Sequence, residues 1–165
     1  MRLNLGSGLK KKEGYVNVDV EPGTCPDTVH DLNTYPYPFE SHSVTEIVAH
    51  HIIEHLDDPM KFIVECHRLL SHGGRLVIEC PIGGTWASYH LNHKFNMTPW
   101  SFLIFNKEEW NWQLPKFRVR KMVVHMPHLN NKVHFPWRMI YFNNLLNNTF
   151  TKMTVTLEKN YWRKR

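Results

Sequence analysis

Long apolar runs are missing from this sequence. The chain has 165 residues, and none of its uninterrupted apolar stretches approaches the roughly 20 residues that a membrane-spanning helix needs. The first residues, MRLNLGSG, also lack the apolar stretch and cleavage pattern of a secretory signal peptide. We therefore expect no membrane partner and a cytoplasmic location.

Cysteine is scarce, with three widely spaced residues at Cys25, Cys66 and Cys80. An odd, scattered count argues against a disulfide framework and against a cysteine-type zinc site. Internal repeats and low-complexity segments are also missing. With 42% hydrophobic and 21% charged residues, the composition is typical of an ordinary globular protein. We expect a single domain over residues 1–165.

Excess charge of one sign is small. The formal net charge is +5, beside 12 histidines, and such a balance suits polyanionic partners. Six of the cations lie in two short runs, Lys10 to Lys12 and residues 162–165. Short runs of this kind are usually solvated edges, and no RNA-binding motif accompanies them. Nucleic acid is therefore kept as an alternative partner that is not favoured.

Alternation and breakers predict short strands separated by loops. Asp58 and Pro59 predict the start of a helix that runs to about Leu70 and stops at a glycine pair. The stretch HHIIEHL is predicted to be a second, short helix, and residues 83–115 have no clean period. The predicted strands cover residues 3–5, 16–20, 28–30, 44–49, 75–80, 117–126 and 153–158, and a last helix covers 136–146. This order predicts an α/β fold with a mostly parallel sheet, in which ligands bind at the carboxyl ends of the strands.

A glycine loop and an acid follow the first two predicted strands. Gly6-Ser7-Gly8 lets the backbone approach a ligand, and Asp19 can accept hydrogen bonds from a ribose diol. A dinucleotide fits poorly, because Lys11 stands where the third glycine of G-x-G-x-x-G is required. The acid also follows too soon, and the sequence leaves little room for the helix that would bind a pyrophosphate. The sequence therefore favours an adenosyl ligand without phosphates.

Four segments together resemble a known family. They are LNLGSG with GYVNVDVEP, HDLNTYPYPFESHSVTEI, AHHIIEHLDDP, and ECHRLLSHGGRLVIECP. In content and order they resemble the class I S-adenosylmethionine-dependent methyltransferases, and more narrowly the compact members of the methyltransferase-domain family. The resemblance covers residues 3–81 almost without a gap. After that only YHLNHKFNMTPWSF is similar, and loosely.

The resemblance implies a fold and assigns a separate role to each half of the chain. The fold is a Rossmann-like three-layer sandwich with a mostly parallel seven-stranded sheet and an antiparallel last strand. The first crossover is short, and the chain begins directly at the first strand, so no N-terminal lid is expected. Residues 1–81 would form the cofactor-binding half and residues 82–165 the acceptor-side half. A homodimer, a partner protein or residues 83–115 would then cover the active site.

The resemblance also implies S-adenosylmethionine as the cofactor and assigns its contacts. Residues 5–8 would lie under its methionine part, and residues 19–20 would hold the ribose. Residues 31–32 would lie against the adenine, and residues 49–50 would border the sulfonium. The implied cofactor-binding residues are Leu5, Gly6, Ser7, Gly8, Asp19, Val20, Asp31, Leu32, Ala49 and His50.

Catalytic candidates come from the two loops expected to flank the methyl group. Methyl transfer depends mainly on aligning donor and acceptor, and a hydroxyl acceptor would also benefit from a base near pKa 7. His51, His90 and His93 are the candidates for that base. Thr45 and His50 depart from the family pattern, where an acid and a small polar residue are usual. The acceptor is expected to be a small molecule or a glycan.

Other functions fit parts of the sequence. His51, Glu54 and His55 spell H-x-x-E-H, the pattern of an inverted zinc-peptidase helix. Zinc chemistry needs a third protein ligand, for which Glu108-Glu109 is the only candidate pair, so we expect no metal site. The chain could also be an inactive methyltransferase-like binding module, or a nucleic-acid binder that uses its basic runs and aromatic residues.

Overall fold

The computed structural model describes residues 1–106, 114–125, 132–134 and 151–159 of the chain. The described residues form one eight-stranded sheet in the order β3-β2-β1-β4-β5-β8-β6-β7. The strands are β1 Arg2–Leu5, β2 Val16–Asp19, β3 Thr28–Val29, β4 Val44–His50, β5 Leu70–Pro81, β6 Phe117–His125, β7 Lys132–His134 and β8 Lys152–Lys159. The α-helices are α1 Pro59–Leu69 and α2 Pro99–Leu103, and short 3-10 helices cover Pro22–Thr24, Ile53–His55, Trp86–Ser88 and Ile104–Asn106.

Strand directions place five carboxyl ends on one edge of the sheet. Strands β1 to β5 run parallel to one another through the pairs β3–β2, β2–β1, β1–β4 and β4–β5. Strand β8 lies antiparallel between β5 and β6, so β6 runs in the same direction as β5. The loops that follow β1 to β5 therefore all emerge at one edge, where ligands bind in open α/β sheets.

The central strands share one face that is fully buried. Leu3 and Leu5 of β1, Ile47 of β4, and Leu76 and Ile78 of β5 are fully buried. Leu3 pairs with Ile47, and Ile47 pairs with Leu76, so these side chains lie on the same face of the sheet and form the core there.

Helix α1 begins and packs as its sequence predicts. The Asp58 side chain accepts a hydrogen bond from the Lys61 N–H at 2.9 Å, and Pro59 occupies the first turn. All five residues of the predicted apolar stripe are buried, namely Phe62, Ile63, Cys66, Leu69 and Leu70. The buried face of α1 thus anchors the loop that links β4 to β5.

The Rossmann-like α/β class is confirmed, with a mostly parallel sheet and an antiparallel last strand. Residues 6–15 between β1 and β2 contain turns and no helix, so the short first crossover is also confirmed. One strand more than predicted is present, because three residues of β7 pair with the edge strand β6. The predicted helix over residues 136–146 lies outside the described residues.

Three local predictions need correction. Helix α1 ends at Leu69, because Leu70 is already extended and paired with Val44 of β4. The segment over residues 83–115 contains short helical turns where no element was predicted. In HHIIEHL only Ile53–His55 are helical. None of the described helices is long and apolar enough to cross a membrane.

The cysteines are free thiols. Cys66 and Cys80 are buried, and Cys25 is exposed. Burial raises the pKa of the Cys66 and Cys80 thiols well above their usual value. These two buried cysteines therefore serve as small apolar core residues.

Candidate active site

The ten residues expected to hold a cofactor lie at or just after the carboxyl ends of β1 to β4. Leu5 ends β1 and pairs with Ala49 near the end of β4, so these two positions are neighbours. The glycine loop follows β1, Asp19 ends β2, and residues 31–32 follow β3. One edge of the sheet thus gathers all the segments implied by the resemblance.

The two glycines of the loop play different parts. Both have positive φ, +67° at Gly6 and +47° at Gly8. A Cβ on Gly6 would lie only 2.8 Å from the Ile52 side chain, so Gly6 is required by packing within the protein. A Cβ on Gly8 would meet nothing within 4 Å. The open side of the loop, where a ligand has room to approach the backbone, is therefore at Gly8.

Asp19 ties the glycine loop to the second strand. Its Oδ2 accepts a hydrogen bond from the Gly8 N–H at 2.7 Å, and its Oδ1 accepts one from the Glu21 N–H at 3.0 Å. Each carboxylate oxygen keeps a further lone pair for another donor. Asp19 can therefore shape the loop and still accept hydrogen bonds from the two hydroxyls of a ribose.

The flanking positions divide into exposed and buried side chains. Val20 is 60% exposed beside the loop, whereas Leu32 is 5% exposed and belongs to the core. Asp31 is exposed and accepts a hydrogen bond from the Asn33 N–H at 2.9 Å. Only Val20 and Asp31 of these offer exposed side chains, so a contact to Leu32 would have to use its backbone.

His51 and His55 do not share a helix face, which corrects the sequence expectation. His51 has a φ of +53°, a left-handed conformation that is costly for a residue with a Cβ. It lies between the end of β4 and the 3-10 helix over Ile53–His55. The His51 N–H donates to the Glu79 carbonyl of β5 at 2.8 Å, which fixes this turn to the sheet.

The His51 ring lies between two carboxylates. Its Nδ1 is 3.4 Å from Glu54 Oε1, and its Nε2 is 3.3 Å from Glu79 Oε1. Glu54 and Glu79 raise the pKa of His51 to about 9, although burial opposes them. His51 and then Lys152, whose Nζ is 2.8 Å from Oε1, lower the pKa of Glu79 against the effect of burial. At neutral pH His51 is therefore a cation with a carboxylate facing each ring nitrogen, which is unfavourable for a base.

The other two predicted histidines join the same cluster from the loop after β5. The ring of His93 is centred 5.3 Å from that of His90 and 4.8 Å from that of His55. His90 is exposed and His93 is half-buried. Because Glu54 lies beside both His51 and His55, all three predicted catalytic histidines fall in one chain of contacts.

Sequence reasoning missed Glu79 and Lys152, and it gave Glu54 and His55 no definite place. Glu79 is the one acid within the otherwise apolar end of β5, VIECP, and that break in the pattern was the signal available. Lys152 reaches it from β8, 73 residues further along the chain. Nothing in the sequence around either residue indicates this long-range contact.

Comparison with known proteins agrees with this geometry. Residues 11–78 match a family model described as a methyltransferase domain. The fold aligns with an S-adenosylmethionine-dependent methyltransferase from Archaeoglobus fulgidus over 96% of this chain and 85% of that one, with a TM-score of 0.65 and 16% identity. The fold is therefore that of class I methyltransferases, and residues 11–78 are similar to a methyltransferase domain.

Two further solved structures show the breadth of the fold. One is the complex between the Trm112 methyltransferase activator and a candidate methyltransferase of Haloferax volcanii, with a TM-score of 0.66, 14% identity, and coverage of 99% of this chain and 83% of that one. The other is geranyl diphosphate C-methyltransferase from Streptomyces coelicolor A3(2), solved with Mg²⁺, geranyl diphosphate and S-adenosylhomocysteine. It has a TM-score of 0.65, 11% identity, and coverage of 96% and 70%. No curated sequence matches the chain significantly.

S-adenosylmethionine, the expected cofactor, agrees with these comparisons. Two observations on this chain fit such a ligand: the open space at Gly8 and the spare lone pairs of Asp19. Both lie at the carboxyl edge of the sheet, as the sequence predicted.

Proposed function

We propose that this protein transfers the methyl group of S-adenosylmethionine to a small molecule or a glycan. The proposal rests on one observation at the carboxyl ends of β1 and β2. There the Asp19 carboxylate accepts a hydrogen bond from the Gly8 N–H, and the space beside Gly8 is open. When bound, S-adenosylmethionine supplies a methyl group attached to a sulfonium sulfur, and this sulfur is itself the leaving group. The protein's own part is then to hold donor and acceptor in line, which can supply roughly 7–11 kcal/mol of the barrier.

The proposed contacts follow from the carboxyl edge of the sheet. The backbone of residues 5–8 would lie under the methionine part, and Asp19 would accept the ribose hydroxyls beside Val20. Residues 31–32 would border the adenine. Ala49 and His50 would border the sulfonium, since they end the strand that pairs with β1.

The loop after β5 supports the choice of acceptor. Trp86, Tyr89 and Trp100 are 61%, 69% and 48% exposed, which is high for large aromatic rings. They follow β5 on the same side of the sheet as the proposed cofactor site. Exposed rings can pack against a sugar or another flat, partly apolar molecule. Trp110 and Trp112, which follow in the same segment, lie outside the described residues.

A proton acceptor is available if the acceptor atom is a hydroxyl oxygen. His51 is excluded from this role, because both of its ring nitrogens face carboxylates. His93 places its Nδ1 3.3 Å from the Ser88 carbonyl, which leaves Nε2 to accept a proton. His90 is exposed beside it. These two histidines are the remaining candidates for the base.

A matched pair of glycine variants tests the cofactor site. Gly8 and Gly73 both have positive φ and no atom within 4 Å of an added Cβ. Gly8→Val and Gly73→Val should therefore carry a similar strain of about 1–2 kcal/mol. Only Gly8 lies at the carboxyl edge. Calorimetric titration with S-adenosylmethionine and S-adenosylhomocysteine should show binding that falls more than tenfold in Gly8→Val and stays near wild type in Gly73→Val.

The reaction is tested separately with radiolabelled S-adenosylmethionine and a panel of sugars and small aromatic alcohols, amines and acids. Transfer of label to one compound, abolished in Gly8→Val, is the expected result. Wild-type protein that binds neither S-adenosylmethionine nor S-adenosylhomocysteine would refute the proposal. Binding without transfer to any acceptor, including RNA and protein extracts, would instead favour the inactive binding module.

A further inference from the structure

Glu54 is a buried carboxylate that lacks hydrogen bonds. Its residue is 1% exposed, and neither carboxylate oxygen has a hydrogen-bond partner among the described residues. The nearest charge is His51 Nδ1, 3.4 Å from Oε1, which is an ion-pair distance and too long for a good hydrogen bond. Burying an ionised carboxylate in this way is costly unless a cation compensates it. The side of Glu54 that carries Oε2 therefore has capacity for a positive ion.

Two imidazoles lie beside this carboxylate. One ligand atom each from Glu54, His55 and His93 lies within 4.8 Å of the other two. The His55 and His93 rings meet edge to face at an angle of 74°, and both side chains are half-buried. The three groups thus surround one point at the rim of the proposed active site.

Both imidazoles are oriented by the backbone. His55 Nδ1 lies 3.1 Å from the Asn92 carbonyl, and His93 Nδ1 lies 3.3 Å from the Ser88 carbonyl. A carbonyl oxygen only accepts, so each Nδ1 carries the hydrogen and each Nε2 keeps its lone pair. Metal-bound histidines almost always have their second ring nitrogen fixed in this way.

The two segments are also fixed to each other. The Lys94 N–H and the Phe95 N–H both donate to the Glu54 carbonyl, at 2.8 and 3.3 Å. The Lys94 Nζ pairs with Asp57 at 2.5 Å, so its charge is directed to a different carboxylate. The backbone itself therefore places His93 beside Glu54, across 39 residues of chain.

We propose that Glu54, His55 and His93 bind one divalent transition-metal ion, for which Zn²⁺ is the probe. Two imidazole nitrogens and one carboxylate oxygen form a donor set that suits zinc and leave a fourth position open. Tetrahedral zinc requires ligand atoms about 3.4 Å apart, so the three side chains would close by roughly 1 Å. This ligand set replaces the H-x-x-E-H hypothesis, because His51 offers no free nitrogen. The proposal does not depend on cofactor binding. Nε2 of His93 cannot both bind the ion and accept a proton, so a metal at this site leaves His90 as the candidate base for methyl transfer.

The test uses the full-length chain after treatment with a chelator. Zn²⁺ is titrated by calorimetry into wild type, Glu54→Gln, His93→Ala and His72→Ala. The control histidine, His72, lies within the first residues of β5, at the opposite edge of the sheet. It is needed because a chain with 12 histidines can bind zinc weakly at several surface positions. Co²⁺ absorption reports the coordination geometry, and circular dichroism checks that each variant is folded.

We expect one tight site in wild type and in His72→Ala, and affinity at least tenfold weaker in Glu54→Gln and His93→Ala. Co²⁺ should give the intense visible bands of a four-coordinate site in wild type and lose them in His93→Ala. Equal zinc affinity in wild type and His93→Ala would overturn the proposal. So would six-coordinate Co²⁺ spectra in wild type. If Glu54→Gln fails to fold, the half-buried loop residue His93 still decides the question.

Discussion

Replacing Asp19 with alanine tests whether its carboxylate contacts the ribose of the cofactor or only holds the protein's own backbone. In Asp19→Ala the Gly8 and Glu21 N–H groups lose their acceptors. The proposed ribose contact is lost as well. A hydrogen bond to a charged group contributes about 1.5 kcal/mol at the lower end of its range. Two ribose hydroxyls therefore correspond to about 3 kcal/mol, or roughly a 100-fold loss of affinity.

Asp27 provides the matched control. Its Oδ2 accepts hydrogen bonds from the Asn17 N–H and from Asn17 Nδ2, at 2.7 and 2.8 Å. Asp27→Ala therefore also removes a carboxylate that is bonded to the backbone next to β2. Its position before β3 keeps it away from the glycine loop. Both variants should lose some thermal stability, but only Asp19→Ala should lose binding.

The assay is calorimetric titration with S-adenosylhomocysteine, which binds without reacting, together with thermal unfolding followed by circular dichroism. Affinity in folded Asp19→Ala within threefold of wild type would refute the ribose contact. An equal loss in Asp27→Ala would show that β2 is merely loosened. In that case the effect would come from the fold and not from a direct contact.

Three further predictions concern stability and reactivity. Asp58→Ala removes the cap of α1 and should lower the free energy of unfolding by about 1 kcal/mol in urea titrations, and an unchanged midpoint would contradict the capping role. Arg68→Met removes two hydrogen bonds to the Glu65 carboxylate, with distances of 2.9 and 2.6 Å. It should lower the free energy of unfolding by about 2–3 kcal/mol at pH 7, because a largely buried carboxylate loses its cation. Burial raises the pKa of Glu65, but hydrogen bonds from Arg68 and the backbone outweigh it and leave the pKa below its usual value. The stabilisation is therefore complete above the ordinary carboxyl range and is lost as pH falls through the folded pKa. The difference in unfolding free energy between wild type and variant should shrink in acid. A pH-independent difference would exclude the ion pair. A thiol reagent should label Cys25 alone in the native protein, and peptide mass spectrometry that finds either of the two buried cysteines labelled would contradict the packing.

The cofactor edge was predictable because its signals are local. A glycine loop after a strand, an acid at the end of the next strand and an Asp-Pro helix start each occupy a few consecutive residues. Asp58 and Pro59 start α1 as their chemistry requires. The sequence alone was therefore enough to predict the α/β class and to gather these residues at one edge of the sheet.

The histidine cluster could not be predicted, because it depends on contacts between distant segments. H-x-x-E-H suggests a regular helix, yet His51 has positive φ and its N–H donates to the Glu79 carbonyl of β5. Its partner Glu79 comes from a neighbouring strand, and His93 reaches Glu54 through backbone hydrogen bonds across a long loop. Helical spacing predicts neighbours only within a helix, so it paired His51 with His55, whose ring instead contacts that of His93.

The position of β8 has a consequence for how the protein is made. Strand β8 fills the gap between β5 and β6, yet it is synthesised about 70 residues after β5 ends. At 5–20 residues per second a ribosome needs on the order of 4–14 s to supply it. During that time the edge of β5 that β8 will pair with is an open template for wrong strand pairing. Strands β1 to β5 can therefore begin to fold early, but the sheet is completed only by a segment that is made about 70 residues later.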